Sequence, residues 1–132
     1  MKTKHVPTLK LCQTFATLCK EKGIVVPETE FVWAAYDGYW EITTMKEDHI
    51  DIRYADEVIP APLVSELGEW MGCYAYTEKY LDKSNPNYNE ARNWFAIRHE
   101  TDMDKLEGFN TEANARQKMI NYLIAEGIIT TL

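Results

Sequence analysis

The chain has 132 residues, of which 45% are hydrophobic and 12% aromatic, and a formal charge of −7 at pH 7. That is enough apolar material to build a core without disulfides or metal, and with no low-complexity or repeated segment it argues against a disordered chain. The charge is uneven: up to Pro27 the balance is +4 and the remainder carries −11, which argues against direct nucleic-acid binding, since that needs a basic face to displace counterions from phosphates.

The segment Met1 to Lys10 has no apolar run of the signal-peptide kind, and no stretch approaches the roughly 20 apolar residues of a membrane span. One cytoplasmic domain over residues 1–132 is therefore expected, with no membrane contact. The first helix is predicted from about Thr8 to Lys22. Leu11, Cys12, Phe15, Leu18 and Cys19 recur at three- and four-residue spacing to form its buried stripe, its lysines face water, and Gly23 ends it. Cys12 and Cys19 lie two turns apart on one face, too far to bridge each other. With Cys73 they make an odd set without a CxxC pair, so three packed, reduced thiols are expected.

Phe31 to Thr44 carries the clearest local signal. Asp37-Gly38 sits between two β-prone runs, and both central positions of a tight type I′ turn need positive φ. With that loop Tyr36 pairs with Tyr39, Ala35 with Trp40, Trp33 with Ile42 and Phe31 with Thr44. Phe31, Trp33, Ala35, Trp40 and Ile42 then share the face expected to meet the core, and Val32, Ala34, Tyr36, Tyr39, Glu41 and Thr43 share the other.

The alternation of Ile50, Ile52 and Tyr54 predicts a third strand over His49 to Tyr54. Pro60-Ala61-Pro62 leads into a short helix from Leu63 to Gly72, with Leu63, Leu67, Trp70 and Met71 on its apolar side. Cys73 to Leu81 alternates aromatics as a strand does, with a helix as the other reading of Tyr74 to Leu81. A turn-rich stretch follows, then a strand at Trp94-Phe95-Ala96-Ile97 and an acidic connection to Asn110. The last helix has Thr111 as N-cap, Glu112 at the positive end of the dipole and Gly127 as its stop, with Ala115, Met119, Tyr122, Leu123 and Glu126 as the stripe laid on a sheet. The expected fold is α+β: a mostly antiparallel sheet of four to five strands with three helices, in the order α-β-β-β-α-β-β-α.

Three segments carry a family resemblance: Ile59 to Trp70, Asn93 to Ile97, and Thr111 to Leu123. Their order resembles small uncharacterised proteins of bacteriophages and bacterial prophages, in which an APTLSEL helix is followed by a W-x-A strand and a closing T-E-A-x-A-R helix. Leu63 and Val64 stand where that pattern has Thr and Leu, and residues 81–89 form a longer insert. The resemblance implies an α+β sandwich and a phage origin. It carries no catalytic residue.

Chemistry-bearing residues are sparse. His49 with Asp51, and His99 with Asp102 and Asp104, are conceivable metal ligands but have loose spacing. Cys73 follows Gly72 at a helix-to-strand junction, where His49 or His99 could approach it as a base, yet there is no GxSxG elbow and no phosphate-cradling glycine loop. No cofactor is implied. The tyrosines Tyr36, Tyr39, Tyr74, Tyr76, Tyr80 and Tyr88 exceed what one small core absorbs. They read either as an interface or as a second core layer under the helices.

Two functions follow as expectations. The first is a non-enzymatic binding or regulatory protein of a mobile element, acting on a host or phage protein through an acidic surface bearing Tyr36, Tyr39, Tyr74, Tyr76 and Tyr80, with a homodimer as one arrangement and DNA mimicry as a variant. The second is a small hydrolase or metal-dependent enzyme using Cys73, His49 or His99.

Overall fold

Gly23 and Gly127 stop the two long helices, as their positions in the sequence predict. A computed structural model of the protein describes residues 5–44, 52–79, 94–98 and 108–132. Helix α1 (Leu9–Lys22) closes on Gly23 at φ 69°, and the Ile24 amide donates back to the Cys19 carbonyl at 2.8 Å. Helix α3 (Glu112–Ala125) starts with the Thr111 hydroxyl accepting from the Asn114 amide at 3.2 Å, and beyond it Gly127 takes φ 74°. Left-handed backbone is strained for a residue with a Cβ, so glycine suits both stops.

Between them lie β1 (Phe31–Tyr36), β2 (Tyr39–Thr44), a 3-10 turn (Ile52–Tyr54), β3 (Glu57–Ala61), α2 (Val64–Met71), β4 (Ala75–Lys79) and β5 (Trp94–Arg98). The class is the expected α+β. The arrangement departs from expectation, because the described strands form two antiparallel sheets, β2-β1-β3 and β4-β5, in place of one. Cys73 to Leu81 resolves in favour of the strand over its described part, Ala75–Lys79.

The hairpin has the predicted register throughout, from Phe31 opposite Thr44 to Tyr36 opposite Tyr39, with Asp37 at φ 51° and Gly38 at φ 81° in the turn. The expected core face is a different matter. Val32, Ala34 and Thr43, assigned to the outer face, are buried, while Phe31, Trp33, Trp40 and Ile42 on the expected core face are only half-buried and Ala35 alone is enclosed. Both faces of this sheet are covered in part, and bulky rings are seldom fully enclosed where small side chains are.

The third strand is also displaced. Residues 49–51 lie outside the described residues and Ile52–Tyr54 form a 3-10 turn, so the strand that pairs with β1 is Glu57–Ala61, in register from Phe31 opposite Ala61 to Ala35 opposite Glu57. Pro60 falls inside it. An edge strand tolerates a proline, which a reading of Pro60 as a helix lead-in overlooks.

The main core surrounds α3. Phe15 and Cys19 of α1, Leu67 and Met71 of α2, Ala75 of β4 and Ala96 of β5 pack with Met119, Ile120, Leu123 and Ile124. The predicted stripe on this helix is corrected: nine of its residues are buried, including Asn114, Gln117 and Asn121, whereas Tyr122 is half-buried and Glu126 exposed. Sequence spacing marks one apolar stripe, but this helix is central and is packed on several sides. Its buried amides are partly compensated by hydrogen bonds, Gln117 Nε2 donating to Asn121 Oδ1 at 3.0 Å and Asn121 Nδ2 to the Leu11 carbonyl at 3.2 Å, while Gln117 Oε1 is buried without a partner.

Two of the segments that carry the family resemblance meet at Arg116. Its guanidinium donates to the Val64 carbonyl at 2.7 Å, to Glu112 Oε2 at 2.7 Å and to the Thr77 hydroxyl at 3.3 Å, tying α3 to the start of α2 and to β4. Glu66 secures that start of α2 by accepting from the Leu63 amide at 2.7 Å.

Candidate functional site

The sequence-derived tyrosines separate onto two sheets. Tyr36 and Tyr39 flank the β1-β2 turn, the first half-buried and the second 71% exposed. The Asp37 amide donates to Asp56 Oδ2 at 2.8 Å and the Asp56 amide donates to the Ala35 carbonyl at 2.8 Å. Those bonds bring the turn against the segment that contains Tyr54, itself 77% exposed, and the exposed Glu57. One end of the three-stranded sheet thus gathers two open tyrosines with Asp37, Asp56 and Glu57. Tyr54 was missed as a site residue because its alternation with Ile52 reads as strand packing. Tyr74 and Tyr76 are exposed at and on β4, in the other sheet, and Tyr80 lies outside the described residues.

The residues of the enzymatic reading are not brought together among the described residues. His49, Asp51, His99, Asp102 and Asp104 lie outside them, and no group of three or more His, Cys, Asp or Glu able to hold a metal ion occurs within them. Cys73, expected to be packed, is exposed at the turn between α2 and β4. A helix-to-strand junction turns outward here, where the alternating pattern alone suggested packing.

Cys12 and Cys19 are buried as expected, and Cys12 Sγ donates to the Pro7 carbonyl at 3.7 Å. Burial pushes the Cys12 thiol from 9.0 up to about 12, against a smaller lowering by its hydrogen bond with Trp33, and pushes Cys19 up to about 11. Thiols raised in this way are inert, because the thiolate is the nucleophile. Ellman's reagent should modify one thiol quickly in the folded protein and all three in urea; rapid reaction of more than one would contradict this packing. A folded-state pKa above the unfolded value stabilises fully below about pH 9, and that contribution is lost as pH rises toward 12. Urea midpoints should therefore fall from pH 9 to 11, with Cys12 supplying up to about 1.4 kcal/mol per pH unit. The slope should be shallower in Cys12→Ala, and an unchanged slope would mean that Cys12 ionises without unfolding.

A cleft of about 450 Å³ opens between α1 and α3. The Asn114 carbonyl oxygen accepts from the Thr8 amide at 2.9 Å and its amide nitrogen donates to Asn110 at 3.3 Å, while Asn121 is held between Gln117 and the Leu11 carbonyl. Both asparagines are buried and form a polar floor. Thr14 and Lys10 line it from α1, Lys118 from α3, and Gly108 to Asn110 close one end. Locked amides, hydroxyls and ammonium groups suit hydrogen-bonded recognition. The charge balance marks the chain up to Pro27 as basic, but it gives no sign that Lys10 would line the same cleft as Lys118.

Comparisons with protein-family models, with curated proteins and with solved structures find no match to this chain.

Proposed function

We propose that the protein is a non-enzymatic binding protein that holds a host or phage protein through the acidic, tyrosine-bearing end of its three-stranded sheet. The observation that carries this reading is the Asp37–Asp56 hydrogen bond, which sets the Tyr39 turn beside the Tyr54 segment and surrounds them with carboxylates. Tyrosine supplies a large, stiff contact area with a polar tip and is enriched in interfaces, and the carboxylates select a basic partner and speed its approach. On the same proposal the protein is one of the phage and prophage proteins that its motif order resembles, acting in the bacterial cytoplasm. Among the described residues no helix is long and apolar enough to cross a membrane.

Affinity capture from host lysate tests the reading when the protein and its Tyr39→Ala/Tyr54→Ala variant are run side by side. Both side chains are exposed, so the variant should melt like the parent. One stoichiometric protein should be retained by the parent in moderate salt and depleted about tenfold or more by the variant, the loss expected from removing interface anchors. Equal recovery on both, or recovery of the bait alone, would defeat the reading.

A further inference from the structure

The cleft between α1 and α3 shares no residue with the tyrosine-bearing end of the sheet, and its composition runs against that of the chain. The sequence has 21 acidic residues and 14 basic ones. Among the described residues that line the cleft there is no carboxylate, while Lys10 and Lys118 stand on separate helices at its walls. Neither ammonium has an ion-pair partner among the described residues. Two ammonium groups lining a single concavity with no carboxylate among its described lining residues give it a local positive potential. The floor is not a loose surface. Asn114 and Asn121 are 7% and 5% exposed and are held by hydrogen bonds to α1, so their orientation exists before a ligand arrives. Each amide nitrogen donates one of its two hydrogens within the protein, which leaves a second N–H.

We propose that this cleft binds a small organic anion, its phosphate or carboxylate held between Lys10 and Lys118 and its hydroxyl-bearing body resting on the Asn114 and Asn121 amides. A volume of about 450 Å³ lies in the range of small-molecule sites, a few hundred to about 1,000 Å³. Two ammonium groups supply charge, and the amides supply direction for hydroxyls that both donate and accept. A neutral polyol of the same shape gains only the second set of contacts.

Titration of the ¹⁵N-labelled protein at low salt with glucose 6-phosphate, gluconate and glucose separates the terms, since the three share a hydroxylated body and differ in phosphate, carboxylate or no charge. At least one anion should give saturable shifts at the Thr8 to Leu11 and Asn110 to Asn114 amides and at the Asn114 and Asn121 side-chain NH₂ groups, about tenfold tighter than glucose. The Lys10→Gln/Lys118→Gln variant removes two exposed, unpaired charges and should keep its fold and spectrum while losing about tenfold or more of that affinity. If phosphate alone binds, the ligand is a phosphate ester; if gluconate alone binds, it is a carboxylate. Equal affinity for glucose, unchanged affinity in the double variant, or no saturable shift at the cleft with any of the three would overturn the proposal. These outcomes are independent of protein capture at Tyr39 and Tyr54.

Discussion

Arg116→Ala should destabilise the protein by about 2–4 kcal/mol in urea unfolding, the range expected when one partner of a partly buried, charge-assisted network is removed. The guanidinium serves three acceptors on three elements: the Val64 carbonyl in α2, Thr77 in β4 and Glu112 one turn earlier in α3. Without it the Val64 carbonyl loses this donor, and Glu112 Oε2 keeps only the Thr77 hydroxyl, which donates to it at 2.6 Å. Arg116→Lys should recover only part of the loss, because a single ammonium cannot match a planar fork. Gly68 supplies a sharper test by sign. A Cβ at this position would collide with the Arg116 guanidinium. In a helix interior Gly→Ala ordinarily stabilises by up to about 1 kcal/mol. Gly68→Ala should instead destabilise the parent by about 1 kcal/mol or more, because the guanidinium must leave its acceptors, and should stabilise the Arg116→Ala background. Stabilisation in both backgrounds would show that the arginine moves aside at no cost and is not a fixed tie.

Phe15→Ala should cost about 3–5 kcal/mol, the range for emptying a buried aromatic site. Phe15 is fully buried, and its ring stacks on Trp70 of α2 with centroids 5.7 Å apart and planes 20° from parallel. It links α1 to α2 across the core that α3 fills, so its loss leaves a cavity bordered by three helices. Phe15→Leu refills much of that space and should cost roughly half as much or less. Equal costs for the two variants would show that the site collapses around alanine.

The elements that the sequence specified are those whose cause is local. Asp37-Gly38 can take positive φ at two successive positions, which sets the hairpin register. Thr111, Gly23 and Gly127 satisfy or terminate helix ends within a few residues of themselves. The spacing of Cys12, Phe15 and Cys19 places one face of α1 inward whatever lies opposite. Composition likewise argued against a disulfide framework, and Cys12, Cys19 and Cys73 are free.

Other features depended on the tertiary structure, because their causes lie far apart in sequence. Glu57–Ala61 becomes a strand because β1 has an open edge to satisfy, and Pro60 is tolerated there because the new strand is itself an edge. The buried amides of α3 have no apolar signature, and two of them, Asn114 and Asn121, are held by partners at the start of α1, the Thr8 amide and the Leu11 carbonyl. Thr8 and Asn114 are 106 positions apart in the sequence, yet their hydrogen bond forms part of the cleft. Tyrosine content indicated a surface, but only the Asp37–Asp56 contact determines which tyrosines share it. Local propensity acts over a few residues through backbone geometry and caps. A binding surface is a coincidence of side chains from separate elements, and packing alone brings those elements together.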